Sequence, residues 1–313
     1  IDELDKIETD EKAQQFVNEI KSVFGLRRCF YLVSVSESAM SNFERRGIPF
    51  RDAFDSSFDS ILRVDYLTLD DSKRVITRRV IGMTAPFQCL CYCASGGLAR
   101  DLIRACRAVV DLGREREDGT SVRDFAPLCR LLAKKDVKSK IHAVTNSAQK
   151  IELGDETASF IVDLVGLEAA LDAGDDLLPA CERLRVKLER RLAADEGEAE
   201  EESRLFAERV KLASLGEELA TYVYYWDTLL RFFDVTLRED ALREREASGI
   251  IDTFGRARQM LGVRPAITRD ILGRYRASCG MPVLNFGVGA KAAADDVAAS
   301  NGRHDPAAPA AKV

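Results

Sequence analysis

The chain has 313 residues and a net charge of −6 at pH 7, with 31% charged and 46% hydrophobic residues. This composition predicts a soluble, helix-rich protein with one large core or two modest ones. Because acidic and basic residues are mixed along the sequence, it does not indicate a dedicated nucleic-acid surface. The sequence contains no apolar run of membrane-spanning length and no signal peptide. Its eight cysteines lack a disulfide-like spacing, which favours a reducing, cytoplasmic compartment.

The chain opens with an acidic pair, Asp2 and Glu3, directly after Ile1. One interpretation is the first turn of a helix, where the helix dipole favours acidic side chains. The other is the carboxyl end of a strand in an open α/β sheet, where ligands bind. Helical spacing follows over residues 8–25, and Cys29–Val35 is a continuous apolar run typical of a buried parallel strand.

Serines and arginines follow the predicted strand. Ser36 could cap the next helix, or it could face a phosphate group, and Ser34 is a weaker candidate for that second role. A basic turn contains Arg45, Arg46 and Arg51. The sequence then predicts a short strand at residues 61–64.

Two further segments carry local signals. Thr68 is a predicted N-cap, with acidic residues in the first helical turn and basic residues in the last. Later, Gly96 and Gly97 permit a tight turn between two helices. Arg100 then falls in the first turn of a helix, where the dipole disfavours a cation. An anionic ligand would account for that position, and so would a surface arginine extending into solvent.

From about residue 121 the sequence predicts helices alone. The predicted segments are 121–147, 155–172, 174–194, 202–234, 238–261 and 267–278. An acid-rich link is predicted at 195–202. The aromatic residues between 222 and 233 have helical spacing, which is more typical of a core or a packing surface than of a ligand cage.

In this order the motifs around Asp2–Glu3, Tyr31–Ser36 and Ser95–Leu102 resemble the second half of a P-loop ATPase. The resemblance is closest to the AAA+/STAND/KAP group of additional-strand NTPases, including bacterial ATPases, and it covers roughly residues 1–112. It rests on several weak motifs in the expected order. It implies a protein that binds and hydrolyses ATP with Mg²⁺ as a conformational switch.

The resemblance also implies a role for each matching residue. Asp2 would be the Walker B acid that holds Mg²⁺ through water, and Glu3 would activate the attacking water. Ser36 would be the polar sensor, and Arg100 would be a second sensor that reaches the γ-phosphate from a helical lid. Arg51 ranks first among the candidates for an arginine finger, although a basic surface turn is an equal alternative. Phosphoryl transfer needs charge neutralisation and a positioned water more than covalent chemistry.

The sequence departs from this family in one respect, because Gly-x-x-x-x-Gly-Lys-Ser/Thr occurs nowhere in it. We therefore expect a C-terminal fragment whose phosphate-binding loop lies upstream, and a fragment that does not hydrolyse ATP alone. Transmembrane helices upstream would also be compatible with the resemblance.

The predicted fold is mostly α, with a truncated α/β P-loop core of few parallel strands followed by a helical lid and a C-terminal helical region. The predicted domains are the core at 1–65, the lid at 66–112, a helical domain at 113–287 and a disordered tail at 288–313. The alternative function is a non-enzymatic scaffold, dimerising or binding a protein partner through helices 174–234.

Cys89, Cys91 and Cys93 invite a metal interpretation. On a helix, however, Cys91 points away from the other two, so the sequence favours buried thiols. His142 lies on a lysine-rich helix and has no recognisable partner in the sequence, which argues against a nucleophilic triad.

Overall fold

The structure is a computed structural model that describes residues 62, 64–114, 124–193, 200–234 and 239–284. The chain divides into two compact units, Ile1–Asp65 and Tyr66–Val313. Almost all of the described residues belong to the second unit, which is called the helical unit below. Of the predicted link at 195–202, residues 195–199 lie outside the described residues, as does the predicted disordered tail, whereas residues 200–202 belong to a helix.

The described residues form ten helices. They are α1 (Leu69–Arg79), α2 (Ala85–Ser95), α3 (Ala99–Gly113), α4 (Phe125–Ala148), α5 (Asp155–Ala173), α6 (Leu178–Ala193), α7 (Glu200–Phe232), α8 (Glu239–Ala247), α9 (Ile250–Met260) and α10 (Pro265–Ser278).

The predicted fold class is wrong, because the described residues are helical and contain no strand that could belong to a parallel sheet. Within the predicted short strand at 61–64, Leu62 and Val64 are described, and neither is in a strand. Their exposed fractions are 82% and 95%, so these apolar side chains are not buried against a sheet. The predicted strand at Cys29–Val35 lies outside the described residues.

The start of α1 follows the predicted chemistry. The Thr68 side chain accepts a hydrogen bond from the backbone N–H of Asp71, and Asp70 and Asp71 lie in the first turn. Arg78 and Arg79 lie in the last turn, where they complement the helix dipole. Both the N-cap and the polarity of α1 are therefore confirmed.

The core of the helical unit is built around α7, which packs against α4, α6 and α10. The predicted aromatic cluster lies there and is buried within this chain, so it does not present an exposed dimerisation surface. Its members are Tyr222, Tyr224, Tyr225, Trp226, Phe232 and Phe233.

One long predicted helix is divided. The sequence predicts a single helix over 238–261, whereas α8 ends at Ala247 and α9 begins at Ile250. Gly249 has a φ of 74°, a left-handed conformation that is typical of glycine and ends helical hydrogen bonding. The break turns α9 toward α2 and α10, against which it packs.

Candidate functional site

The chain reverses direction between α2 and α3 at Gly96 and Gly97, whose φ angles are 62° and 82°. The backbone N–H of Leu67 donates a hydrogen bond to the Gly97 carbonyl at 2.8 Å. A Cβ atom on Gly97 would lie 2.2 Å from the Leu67 carbonyl oxygen. This turn therefore needs glycine at position 97, both for its conformation and for the close approach of the segment that precedes α1.

Arg100 follows this turn in the first helical turn of α3 and is exposed. It makes no hydrogen bond or ion pair with any other described residue, whereas the adjacent Asp101 pairs with Arg104 at 3.2 Å. The helix dipole disfavours this cation, and no described residue compensates it. Within the described ranges, the Arg100 guanidinium is therefore left without a compensating anion.

The opposite side of the turn is held by α9. Gln259 donates a hydrogen bond from Nε2 to the Gly96 carbonyl at 2.6 Å. The two glycine carbonyls are therefore bound from different elements, one by the segment before α1 and the other by α9. We call Leu67, Gly96, Gly97 and Gln259 the turn junction.

Arg258, the residue before Gln259, is held mostly by aromatic rings. Its guanidinium lies 4.8 Å from the Tyr222 ring centroid and 5.9 Å from that of Tyr225. Nη2 donates to Asp136 at 3.4 Å, while Nη1 is buried and has no hydrogen-bond partner in the described part of the chain. Burial opposes the charged form of Arg258, but the neighbouring Tyr222 and Asp136 outweigh burial and raise its pKa.

Asp136 on α4 is the hydrogen-bond acceptor that links Arg258 to the aromatic residues of α7. Its Oδ2 atom also accepts hydrogen bonds from the Tyr222 hydroxyl and, at 2.8 Å, from Trp226 Nε1. Burial raises the pKa of Tyr222, and Asp136 adds to that rise while Arg258 opposes it. The tyrosine therefore stays protonated and continues to donate to the carboxylate. We call Asp136, Tyr222, Trp226 and Arg258 the Asp136 cluster.

A cleft with a volume of about 250 Å³ lies beside the turn junction and the Asp136 cluster. Lys140 and Glu218 form an ion pair in its wall, and Lys140 lies 5.6 Å from the Tyr222 ring centroid. The remaining lining residues include Tyr66, Ser95, Leu98, Asp101, Gln259 and Leu261. Its charged lining residues Asp101, Lys140, Glu218 and Arg258 are all paired within the chain.

Of the predicted site residues, the structure places only Arg100. Asp2, Glu3, Ser36 and Arg51 lie outside the described residues. Within the described ranges, no cluster of histidine, cysteine and acidic side chains could hold a metal ion.

Sequence reasoning missed Asp136, Arg258 and Gln259, because their contacts join positions that are far apart in the chain. The aromatic cluster did contain a signal for Asp136. A buried tryptophan and tyrosine need hydrogen-bond acceptors for their N–H and O–H groups, so the cluster implied an acceptor on a neighbouring helix.

The cysteine prediction is confirmed, since Cys89, Cys91 and Cys93 are buried thiols. Burial raises the pKa of Cys93 and, together with a hydrogen bond to Glu246, that of Cys89. His142, for which the sequence suggested no partner, lies with its Nε2 atom 3.0 Å from a Glu168 carboxylate oxygen.

No family model, curated protein or solved structure matches this chain. None of the helices in the described ranges combines the length and the apolar character that crossing a membrane requires.

Proposed function

We propose that this chain is part of an ATP-binding and ATP-hydrolysing P-loop NTPase that acts as a conformational switch in the cytoplasm. In this proposal the helical unit relays the nucleotide state to a partner. One observation carries the proposal. Arg100 is exposed, has no partner among the described residues, and lies three residues after a glycine turn whose two carbonyls are bound by Leu67 and Gln259.

The position of Arg100 favours an anionic ligand over a purely structural role. A guanidinium in the first turn of a helix is opposed by the dipole unless an anion compensates it. A γ-phosphate supplies that charge, and its loss on hydrolysis removes it. The force on Arg100 would therefore differ between the two nucleotide states.

The remaining nucleotide contacts in the proposal belong to residues near the start of the chain. Asp2 would hold Mg²⁺ through water, and Glu3 would orient the attacking water. Ser36 and Arg51 would contact the nucleotide. ATP and Mg²⁺ are thus the cofactors that the proposed function requires.

The turn junction supplies a physical route for the relay. A shift of the turn would act on Gln259 through the hydrogen bond to Gly96, and the preceding residue, Arg258, is bound to Asp136. Asp136 in turn accepts from Trp226, the one tryptophan in the sequence. The indole fluorescence of Trp226 is therefore a built-in probe of the nucleotide state.

Replacing Glu3 tests the proposed chemistry. In the natural full-length protein, we expect Glu3→Gln to keep ATP binding, measured by equilibrium dialysis, and to lose hydrolysis, measured by phosphate release. Normal hydrolysis by this variant would remove Glu3 from the proposed role. Absence of ATP binding by the unmodified protein would overturn the function itself.

Replacing Arg100 tests the relay. We expect ATP with Mg²⁺ to change the Trp226 emission of the Glu3→Gln protein, with a Trp226→Phe variant as the reference that isolates this signal. Arg100→Ala should abolish the change. Arg107→Ala is the matched control, because Arg107 is an exposed arginine on the same helix. An equal change in both arginine variants would contradict the assignment of Arg100.

A non-enzymatic, partner-binding scaffold is the second candidate function. A specific observation favours it, because α5 exposes Val162 and Val165, with exposed fractions of 70% and 61%.

A further inference from the structure

Helix α5 has an apolar face on each side. Its inner face buries Phe160, Leu164 and Leu167. The outer face carries the exposed valines Val162 and Val165, and the small residues Ala158, Gly166 and Ala169 are exposed beside them. A surface helix normally turns charged or polar residues outward, so an apolar outer face indicates a covering partner.

Gly166 lies in the middle of this face. A Cβ atom placed on it would meet no heavy atom within 4 Å, so no contact in the described structure excludes a larger residue. Glycine inside a helix is less stable than alanine because it loses more backbone freedom on folding. Close approach of another chain would account for glycine at this position.

The outer face continues into a groove between α5 and α6, with a volume of about 320 Å³. Apolar residues line it from both helices, with Gly166 and Leu167 on α5 and Ala180 and Leu184 on α6. An apolar groove between two helices is the geometry that receives an amphipathic helix in many complexes.

One edge of this groove is basic. Arg183, Lys187 and Arg190 are spaced by four and three residues on α6, so they share one face of that helix. Lys187 pairs with Asp163 of α5 at 2.5 Å. Arg183 and Arg190 are exposed and have no ion pair within the described ranges.

We propose that the α5–α6 groove binds one helix of a partner protein, apolar on one face and acidic along the edge that meets Arg183 and Arg190. This inference goes beyond the proposed nucleotide switch and does not depend on it. Helix α5 of a second copy of this chain is a poorer match for the groove, because its acidic residues Asp163 and Glu168 are already paired with Lys187 and Lys138.

A designed peptide tests the groove directly. The probe is a fluorescein-labelled 18-residue helix with leucine at positions i, i+3, i+4 and i+7 and glutamate along one edge. Two control peptides carry lysine in place of glutamate, or serine in place of leucine. By fluorescence anisotropy we expect the acidic peptide to bind at least tenfold more tightly than either control.

Variants of the protein locate the binding. We expect the Arg183→Glu/Arg190→Glu double variant to weaken binding of the acidic peptide more than tenfold, and Arg107→Glu, an exposed arginine on α3, to leave binding unchanged. Gly166→Leu should also weaken binding more than tenfold by filling the groove. Its circular dichroism should match that of the parent, since no heavy atom of the described residues lies within 4 Å of a Cβ atom at this position.

Three results would overturn the inference. The first is equal binding of the acidic and lysine peptides. The second is binding that is insensitive to both the Gly166 and the arginine changes. The third is a dimer in sedimentation that Gly166→Leu converts to a monomer, which would assign the groove to a second copy. All of these measurements omit nucleotide, so their failure leaves the proposed ATPase untouched.

Discussion

Around Trp226, the apolar rings are buried and most polar groups are hydrogen-bonded inside the chain, with only 2% of the indole exposed and its N–H bound to Asp136. On the outer face of α5, side chains of similar apolar character are not buried by the part of the chain that the structure describes, and 61% of Val165 is exposed. The two regions belong to the same helical unit. This difference in burial separates residues that stabilise the fold from residues that we propose contact another molecule.

Substitutions in the two regions should therefore change the free energy of unfolding by different amounts. A substitution near Asp136 should lower the free energy of unfolding, because it leaves a cavity or an unsatisfied polar group. A substitution on the outer face of α5 should leave folding nearly unchanged. Unfolding measurements on variants of both regions therefore test this difference directly.

The largest expected effect is that of Trp226→Ala. Loss of the buried ring and of its hydrogen bond to Asp136 should lower the free energy of unfolding by about 3–5 kcal/mol. Val165→Ala should change it by less than about 0.5 kcal/mol. Urea unfolding followed by circular dichroism measures both. Equal losses would mean that the outer face of α5 is part of the folded core.

A smaller effect is expected at the turn junction. Gly97→Ala places a Cβ atom against the Leu67 carbonyl and strains a positive φ, which we expect to cost about 2–3 kcal/mol in total. Gly82→Ala is the matched control, because Gly82 has a φ of 79° and no neighbour within 4 Å of a Cβ atom. It should lose only about 1 kcal/mol in the same unfolding assay. Equal costs would show that the approach of Leu67 does not constrain position 97.

The next effect in size is expected at Glu246 on α8, which is partly buried. Its carboxylate accepts hydrogen bonds from Lys73 at 2.6 Å and from Cys89 Sγ at 3.1 Å. Burial opposes ionisation of Glu246, but the hydrogen bonds from Lys73 and Cys89 outweigh it, so its pKa is lowered. Its stabilising effect is therefore present above the unfolded pKa of about 4.3 and is lost as the pH falls through the folded value.

Replacing Glu246 should flatten this acid dependence. Near pH 7 we expect Glu246→Gln to cost about 1 kcal/mol, with the difference from the parent shrinking below pH 4. Glu152→Gln serves as the control, since 81% of the Glu152 side chain is exposed in its pair with Arg204. Thermal unfolding across pH 3–7 measures the effect. A Glu246 difference that stays constant across this range would contradict the linkage.

The smallest effect has the opposite sign. Gly166→Ala should raise the free energy of unfolding by about 0.5–1 kcal/mol, because alanine is the better helix former and the position is open. Urea unfolding again gives the value. A loss of stability would show that Gly166 is already packed within this chain.

The sequence predicted local features well. Thr68, with acidic residues after it and basic residues at the end of α1, specified that helix through contacts within a few residues. The burial of the cysteines and of the aromatic cluster followed from their apolar character. The break at Gly249 was missed, since a glycine within a helical pattern can also be tolerated.

The fold class and the junction were harder for a physical reason. Short apolar runs such as residues 61–64 fit either a strand or an irregular segment, and only tertiary packing decides between them. The contacts of Gln259 with Gly96 and of Asp136 with Arg258 join distant positions, so no local pattern contains them. Arg100 was found because a cation in the first turn of a helix conflicts with a local rule.

The hydrogen bond from the Leu67 amide to Gly97 also has a kinetic consequence. An amide proton held in this way exchanges with deuterated water only when the turn opens. The exchange rate of this single proton therefore reports how often the turn junction separates. Deuterium uptake, measured by mass spectrometry on overlapping peptides that isolate residue 67, would follow that opening without a fluorescent dye.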